Sequence, residues 1–163
     1  MAQEVARSTE GLLRAEQIVA ANQELVEFIE SCGDGEWKSL CTAESWPVNV
    51  VAHHIAWGHS VSANWIRTIR LGIDVPGSPE AHDKGNQAMA ASVADITRDE
   101  VIRLALQNVS ELADLLRSLT ADDFEKRSAF GPAGGMPMSI DQLAGARRHL
   151  DRHLSSMRAA IES

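Results

Sequence analysis

Six histidines punctuate the 163 residues, at positions 53, 54, 59, 82, 149 and 153. Two of them form His149-Leu150-Asp151-Arg152-His153, and residues four apart on a helix project to one side, one turn above the other. Neutral imidazoles stacked in this way can chelate a divalent ion. The spacing arises often by chance, so a third nitrogen is needed from another element. His54 is the candidate. On a helix turning about 100° per residue, Val50, Val51, Trp57, Val61, Trp65 and Ile69 centre on its direction, which turns His54 inward. His53 falls beside Asn49 and Ser60, and His59 lies on the other flank. An inward imidazole without a partner costs on the order of 1 to 3 kcal/mol. A metal would supply that partner, and so would a buried carbonyl or water.

The elements that must bring these residues together are helices. A first is expected from about Thr9 to Ile29, ended by Cys32-Gly33-Asp34-Gly35. A second begins around Ser45 to Pro47 and runs to about Leu71, before Gly72 and a Pro76-Gly77-Ser78-Pro79 loop. A weaker helical segment, about Ala81 to Val93, follows. Thr97-Arg98-Asp99-Glu100 opens a third strong helix with a capping box, and Ser139-Ile140-Asp141-Gln142 opens a fourth that continues to the C-terminus. The turn-rich stretch between them, Ser128 to Pro137, has no strand before its glycines and no phosphate-loop lysine, so it reads as a flexible connection. No stretch of helical length alternates as a half-buried strand does. An all-α four-helix bundle is expected, one domain over residues 1–163.

On the fourth helix His153 sits on the shoulder of the apolar stripe and His149 at its polar edge. A site shared with His54 must then lie off the bundle axis or towards an open end. Three imidazoles with the other coordination positions open form a catalytic arrangement, in which a divalent ion lowers the pKa of bound water or thiol. Cys32 and Cys41 make no ligand pair, which argues against a closed structural zinc site. Neither sits in an attacking-thiol motif, so thiol chemistry here would need an external thiol. No general acid or base stands out. Trp57 and Trp65 share the His54 side, as packing or as a stacking surface for substrate. Arg147 points nearer the apolar stripe than a charge normally would, either to clamp a carboxylate or to snorkel to solvent. His82 and Asn86 reach the site only if their segment folds back over the bundle.

Composition closes off other classes. Fifteen Lys and Arg against 23 Asp and Glu give a net charge of −8, unsuited to nucleic acid. No apolar run approaches the ~18 residues of a membrane span, and the N-terminus lacks a basic-then-apolar leader. A cytoplasmic protein with free thiols is expected.

Trp46-Pro47-Val48-Asn49-Val50-Val51-Ala52-His53-His54-Ile55-Ala56 resembles the entry to the second helix of the DinB-like superfamily. Pro137-Met138-Ser139-Ile140-Asp141-Gln142-Leu143, leading to His149 and His153, resembles its second motif. The resemblance implies an up-down-down-up bundle, commonly a homodimer, with a divalent ion such as zinc or nickel on His54, His149 and His153. His53 leaves the register of the first ligand open by one residue. The resemblance further implies a small-molecule enzyme activating a low-molecular-weight thiol, of mycothiol or bacillithiol type, for transfer to or isomerisation of an electrophilic metabolite. Trp57 and Arg147 are the candidate substrate contacts. The mycothiol-dependent isomerases of the family carry a further C-terminal domain beyond a fourth helix such as this one, which weakens an assignment of maleylpyruvate as substrate. Two alternatives stay open: a non-catalytic small-molecule-binding stress or resistance protein, and a metal-dependent hydrolase using bound water.

Overall fold

Ser8 starts the first helix, α1 (Thr9–Ser31), where its hydroxyl accepts from the Glu10 amide at 3.1 Å. The structure, a computed structural model, describes residues 8–145 and 147–162. Of the N-terminal stretch read as lacking a leader, positions 1–7 therefore lie outside the described residues. After α1 come a single turn, α2 (Asp34–Trp37), and two short antiparallel strands, β1 (Leu40–Cys41) and β2 (Trp46–Pro47). Pro47 then leads into α3 (Val48–Arg70), having no amide to leave unpaired there.

Ser78 caps α4 (Pro79–Ser92), and the expected Thr97–Glu100 capping box opens α5 (Arg98–Ser118). A short α6 (Ala121–Glu125) precedes β3 (Arg127–Phe130), a 3-10 turn at Gly131–Ala133 and β4 (Met136–Ser139). The Ser139–Gln142 box then opens α7 (Ile140–Ala144), followed by α8 (Arg147–Ile161). No helix among the described residues is long and apolar enough to cross a membrane.

Inter-helix contacts fix the directions. Ser8 N donates to Leu119 O, so the start of α1 meets the end of α5 and the two run antiparallel. Asn108 reaches the Ala56 carbonyl and Arg67 reaches Glu111, so α3 and α5 run in the same sense. Arg14 meets Asp141 and Arg147 meets Glu24, so the α7–α8 arm runs with α1. This is the up-down-down-up four-helix bundle expected from the sequence. Leu25, Ile29, Ile66, Leu112, Leu116 and Leu154 are fully buried at its centre. Helices α1 and α5 touch backbone to backbone at Gly11, where a Cβ would collide with the Leu116 carbonyl oxygen.

Two local expectations are corrected. The stretch from Ser128 to Pro137 is no loose connection: β3 and β4 pair from Arg127↔Ser139 to Phe130↔Met136, and Gly134 and Gly135 turn the chain at φ 70° and 79°. Val75 adds to this hairpin, donating to Ala129 O at 2.9 Å and accepting from Gly131 N at 2.8 Å. The fourth helix is interrupted at Gly145, so its two pieces need not keep one helical phase; position 146 lies outside the described residues. Helix α4 buries none of its side chains and lies against α3 and the 3-10 turn.

Candidate metal centre

Helix α3 supplies His54 and α8 supplies His149 and His153. One nitrogen from each of these three rings lies within 4.8 Å of the other two. The ring centroids are 5.6 Å (His54–His149), 5.2 Å (His54–His153) and 4.4 Å (His149–His153) apart. Nitrogens bound tetrahedrally at about 2.0–2.1 Å from zinc stand roughly 3.3 Å from one another. The Nε2 atoms of His149 and His153 are already 3.2 Å apart. His54 Nδ1 is buried with no hydrogen-bond partner among the described residues. That orphaned atom marks a ring whose polar demands the protein does not meet, and a bound ion fits the need.

His153 is oriented from behind. Its Nδ1 donates to Glu44 Oε1 at 2.8 Å, and Glu44 Oε2 accepts from the Ser156 hydroxyl at 2.5 Å. Both side chains are nearly enclosed, at 7% and 10% exposure. With its proton held on Nδ1, the ring presents the Nε2 lone pair to the cluster, as in carboxylate–histidine–metal arrangements. Burial works to raise the Glu44 pKa, but the hydrogen bonds from Ser156 and His153 prevail and hold it below the ordinary carboxylate value. Glu44 lies in the turn between β1 and β2, beside Ser45 at φ 58°. Trp46, two residues on, packs its ring against His54 at 5.6 Å. One short turn thus supports two of the three imidazoles.

Two of the rings, His54 and His149, are held neutral. Burial first, then the neighbouring imidazoles, lowers His54 to a pKa of about 3. Burial, followed by His153 and Arg152, lowers His149 to about 4. Neutral imidazole is the form that ligates metal.

The cluster opens into a cleft of about 410 Å³. Trp57, Val61 and Trp65 of α3 line it, with His82 and Asn86 of α4 and Arg148 and Arg152 of α8. The stripe centred on His54 therefore faces a cavity as well as the core. Inside the bundle α3 buries a second set, including Val51, Ala52, Ile55 and Ile66. His53 is turned away, with Nδ1 3.2 Å from Met89 Sδ. Trp57 stands on the cleft wall. Arg147 does not line the cleft: it pairs with Glu24 and Asp151, each at 3.3 Å. Sequence reasoning passed over Glu44, which no periodicity marks, and left out His82, which the fold-back of α4 brings to within 5.8 Å of the Trp65 ring.

A bundle of this topology with three histidines converging beneath a cleft defines a class. The chain belongs to the DinB superfamily, whose family model matches residues 17–157. Among solved structures, YfiT from Bacillus subtilis, described as "a probable metal-dependent hydrolase with an unusual four-helix bundle topology", is similar with a TM-score of 0.77 at 15% identity. That match covers 99% of this chain and 91% of YfiT. A mutant of the mycothiol-dependent maleylpyruvate isomerase is similar with a TM-score of 0.71 at 16% identity, over 89% of this chain and 59% of the isomerase. At these identities the likeness is one of fold. A sequence search of curated proteins returned no match.

Proposed function

We propose that this chain is a metal-dependent enzyme in which His54, His149 and His153 hold a divalent ion, zinc or nickel. The observation carrying this reading is that three imidazoles converge below an open cleft while the carboxylate of Glu44 aims one of them. When bound, such an ion supplies Lewis acidity that makes a small nucleophile available at neutral pH. Glu44 keeps the His153 proton on Nδ1, away from the cluster. Trp46 buttresses His54, and Trp57 and Trp65 narrow the approach and displace water from it. The protein's own thiols are poor nucleophiles. Burial, then the nearby Glu44 charge, pushes the Cys41 pKa up to about 11, and burial also raises Cys32. The nucleophile is therefore a low-molecular-weight thiol, of mycothiol or bacillithiol type, transferred to or isomerising a small electrophilic metabolite. A cytoplasmic setting keeps such thiols reduced.

Water in place of the thiol is the second reading, supported by the same open approach and by the description of YfiT. A non-catalytic binder is the third. Metal analysis of protein purified without an affinity tag tests the common premise, with about one equivalent expected per chain. Chelator-sensitive turnover of electrophiles only with added thiol supports the transferase or isomerase. Turnover without thiol supports the hydrolase, and ligand-dependent thermal stabilisation without turnover supports the binder. We also propose a homodimer. Trp57 and Trp65 line the cleft, and Leu12, Leu13 and Val19 of α1 offer an exposed apolar surface for it. Sedimentation showing only a 17.7 kDa species would overturn it.

A further inference from the structure

The charge in the cleft is opposite to that of the protein. The chain carries a net charge of −8, with 23 acidic residues. Yet no Asp or Glu lines the cleft among the described residues, and two arginines, Arg148 and Arg152, do. Elsewhere on the bundle Arg14, Arg67, Arg70 and Arg98 each reach a carboxylate. Arg147, adjacent in sequence to Arg148, is engaged by Glu24 and Asp151. Arg148 makes no ion pair among the described residues. Among the described residues Arg152 reaches only His149 Nδ1, at 3.2 Å. That contact is to an imidazole nitrogen, so neither guanidinium is neutralised by a carboxylate among the described residues. Trp57, Trp65, Val61 and Leu143 make the rest of the wall largely apolar, broken by uncharged polar groups such as Ser62, Asn86 and Gln142.

From this arrangement we infer that the cleft takes an anionic small molecule: a carboxylate-bearing substrate with a flat apolar body. Arg148 and Arg152 hold the carboxylate beside the histidine cluster, and the tryptophans cover the body. The inference rests on the proposed enzyme reading and names the substrate class for that site. An overall negative protein repels such anions at long range, so local guanidinium groups are what selects them. Planar forked donors match a carboxylate, whereas a neutral amide of the same shape forfeits the charge-assisted bonds.

The test is calorimetric titration of the full-length protein, as purified and again after chelator dialysis, with trans-cinnamate and its neutral isostere trans-cinnamamide. Cinnamate is expected to bind about tenfold more tightly than the amide. This preference should vanish in Arg148→Met/Arg152→Met, which keeps the aliphatic stems. It should persist in Arg103→Met, a charge-loss control on α5 away from the cleft, and in His153→Ala. Thermal melting of each variant reports whether it is folded. Equal binding of acid and amide, no binding of cinnamate at millimolar concentration, or a preference that survives in the double variant would overturn the inference. The outcome is separable from that of the metal reading. Loss of metal with the anion preference intact leaves the inference standing, and metal retained without the preference removes the inference alone.

Discussion

Glu44 accepts the Nδ1 proton of His153 at 2.8 Å from a turn more than a hundred residues away in sequence. The contact decides which nitrogen of a buried imidazole is left to act. If that nitrogen ligates a metal, Glu44→Ala should weaken metal affinity by roughly 10- to 100-fold. Glu44→Gln, whose amide oxygen can still accept, should lose less. Competition against a chromogenic chelator measures both, and unchanged affinity in the alanine variant would remove the orienting role.

The adjacent histidines offer an internal control. His54 belongs to the cluster, while His53 packs its Nδ1 on Met89. His54→Ala should abolish stoichiometric metal. His53→Ala should keep it and instead lower stability by about 1–3 kcal/mol through the cavity and the lost contact. Elemental analysis beside thermal melting separates the two, and the opposite pattern would shift the ligand by one residue.

The limits of the sequence follow from what periodicity can carry. His54, His149 and His153 were legible because both helices are long enough for a phase to be assigned, and the pair on α8 lies within one uninterrupted helix. Period cannot distinguish a core face from a cavity wall, so the Trp57–Trp65 stripe left packing and a stacking surface both open. Arg147 was phased from apolar residues on both sides of Gly145, and the interruption there frees α8 from the phase of α7. The phase therefore favoured Arg147 where the cleft takes Arg148 and Arg152. Glu44 lies on a turn flanked by two-residue strands, too short for any alternation, and Cα–Cα register across such a turn leaves no trace in sequence. The β3–β4 hairpin, with four residues per strand and a proline in β4, escaped for the same reason.

Burial makes a prediction for the cysteines. Raising Cys41 from 9.0 to about 11 leaves roughly a hundredfold less thiolate at a given neutral pH. Both thiols should resist a disulfide reagent in native buffer and react at once in denaturant. Rapid modification of the folded protein would restore an internal thiol as a candidate nucleophile.

The last prediction concerns acid stability. His59 is 3% exposed, its Nε2 3.0 Å from the Oδ1 of buried Asn22, and burial lowers its pKa from 6.5 to about 4. The folded protein therefore keeps this ring neutral across a range where the unfolded chain protonates it. Between about pH 6.5 and 4 the unfolded state binds more protons, and stability falls as pH falls. Above 6.5 both states are neutral and the group contributes no slope; below about 4 both are charged and the loss is complete. A shift of this size corresponds to about 3 kcal/mol over the window. His54 and His149 are also lowered, so in metal-free protein they add to the same slope. His59→Gln removes one titrating group while keeping a donor for Asn22. Denaturant unfolding of metal-free protein between pH 7 and 4.5 should show a shallower loss for this variant than for the wild type. Superimposable pH profiles would mean that the buried His59–Asn22 pair has no part in acid sensitivity.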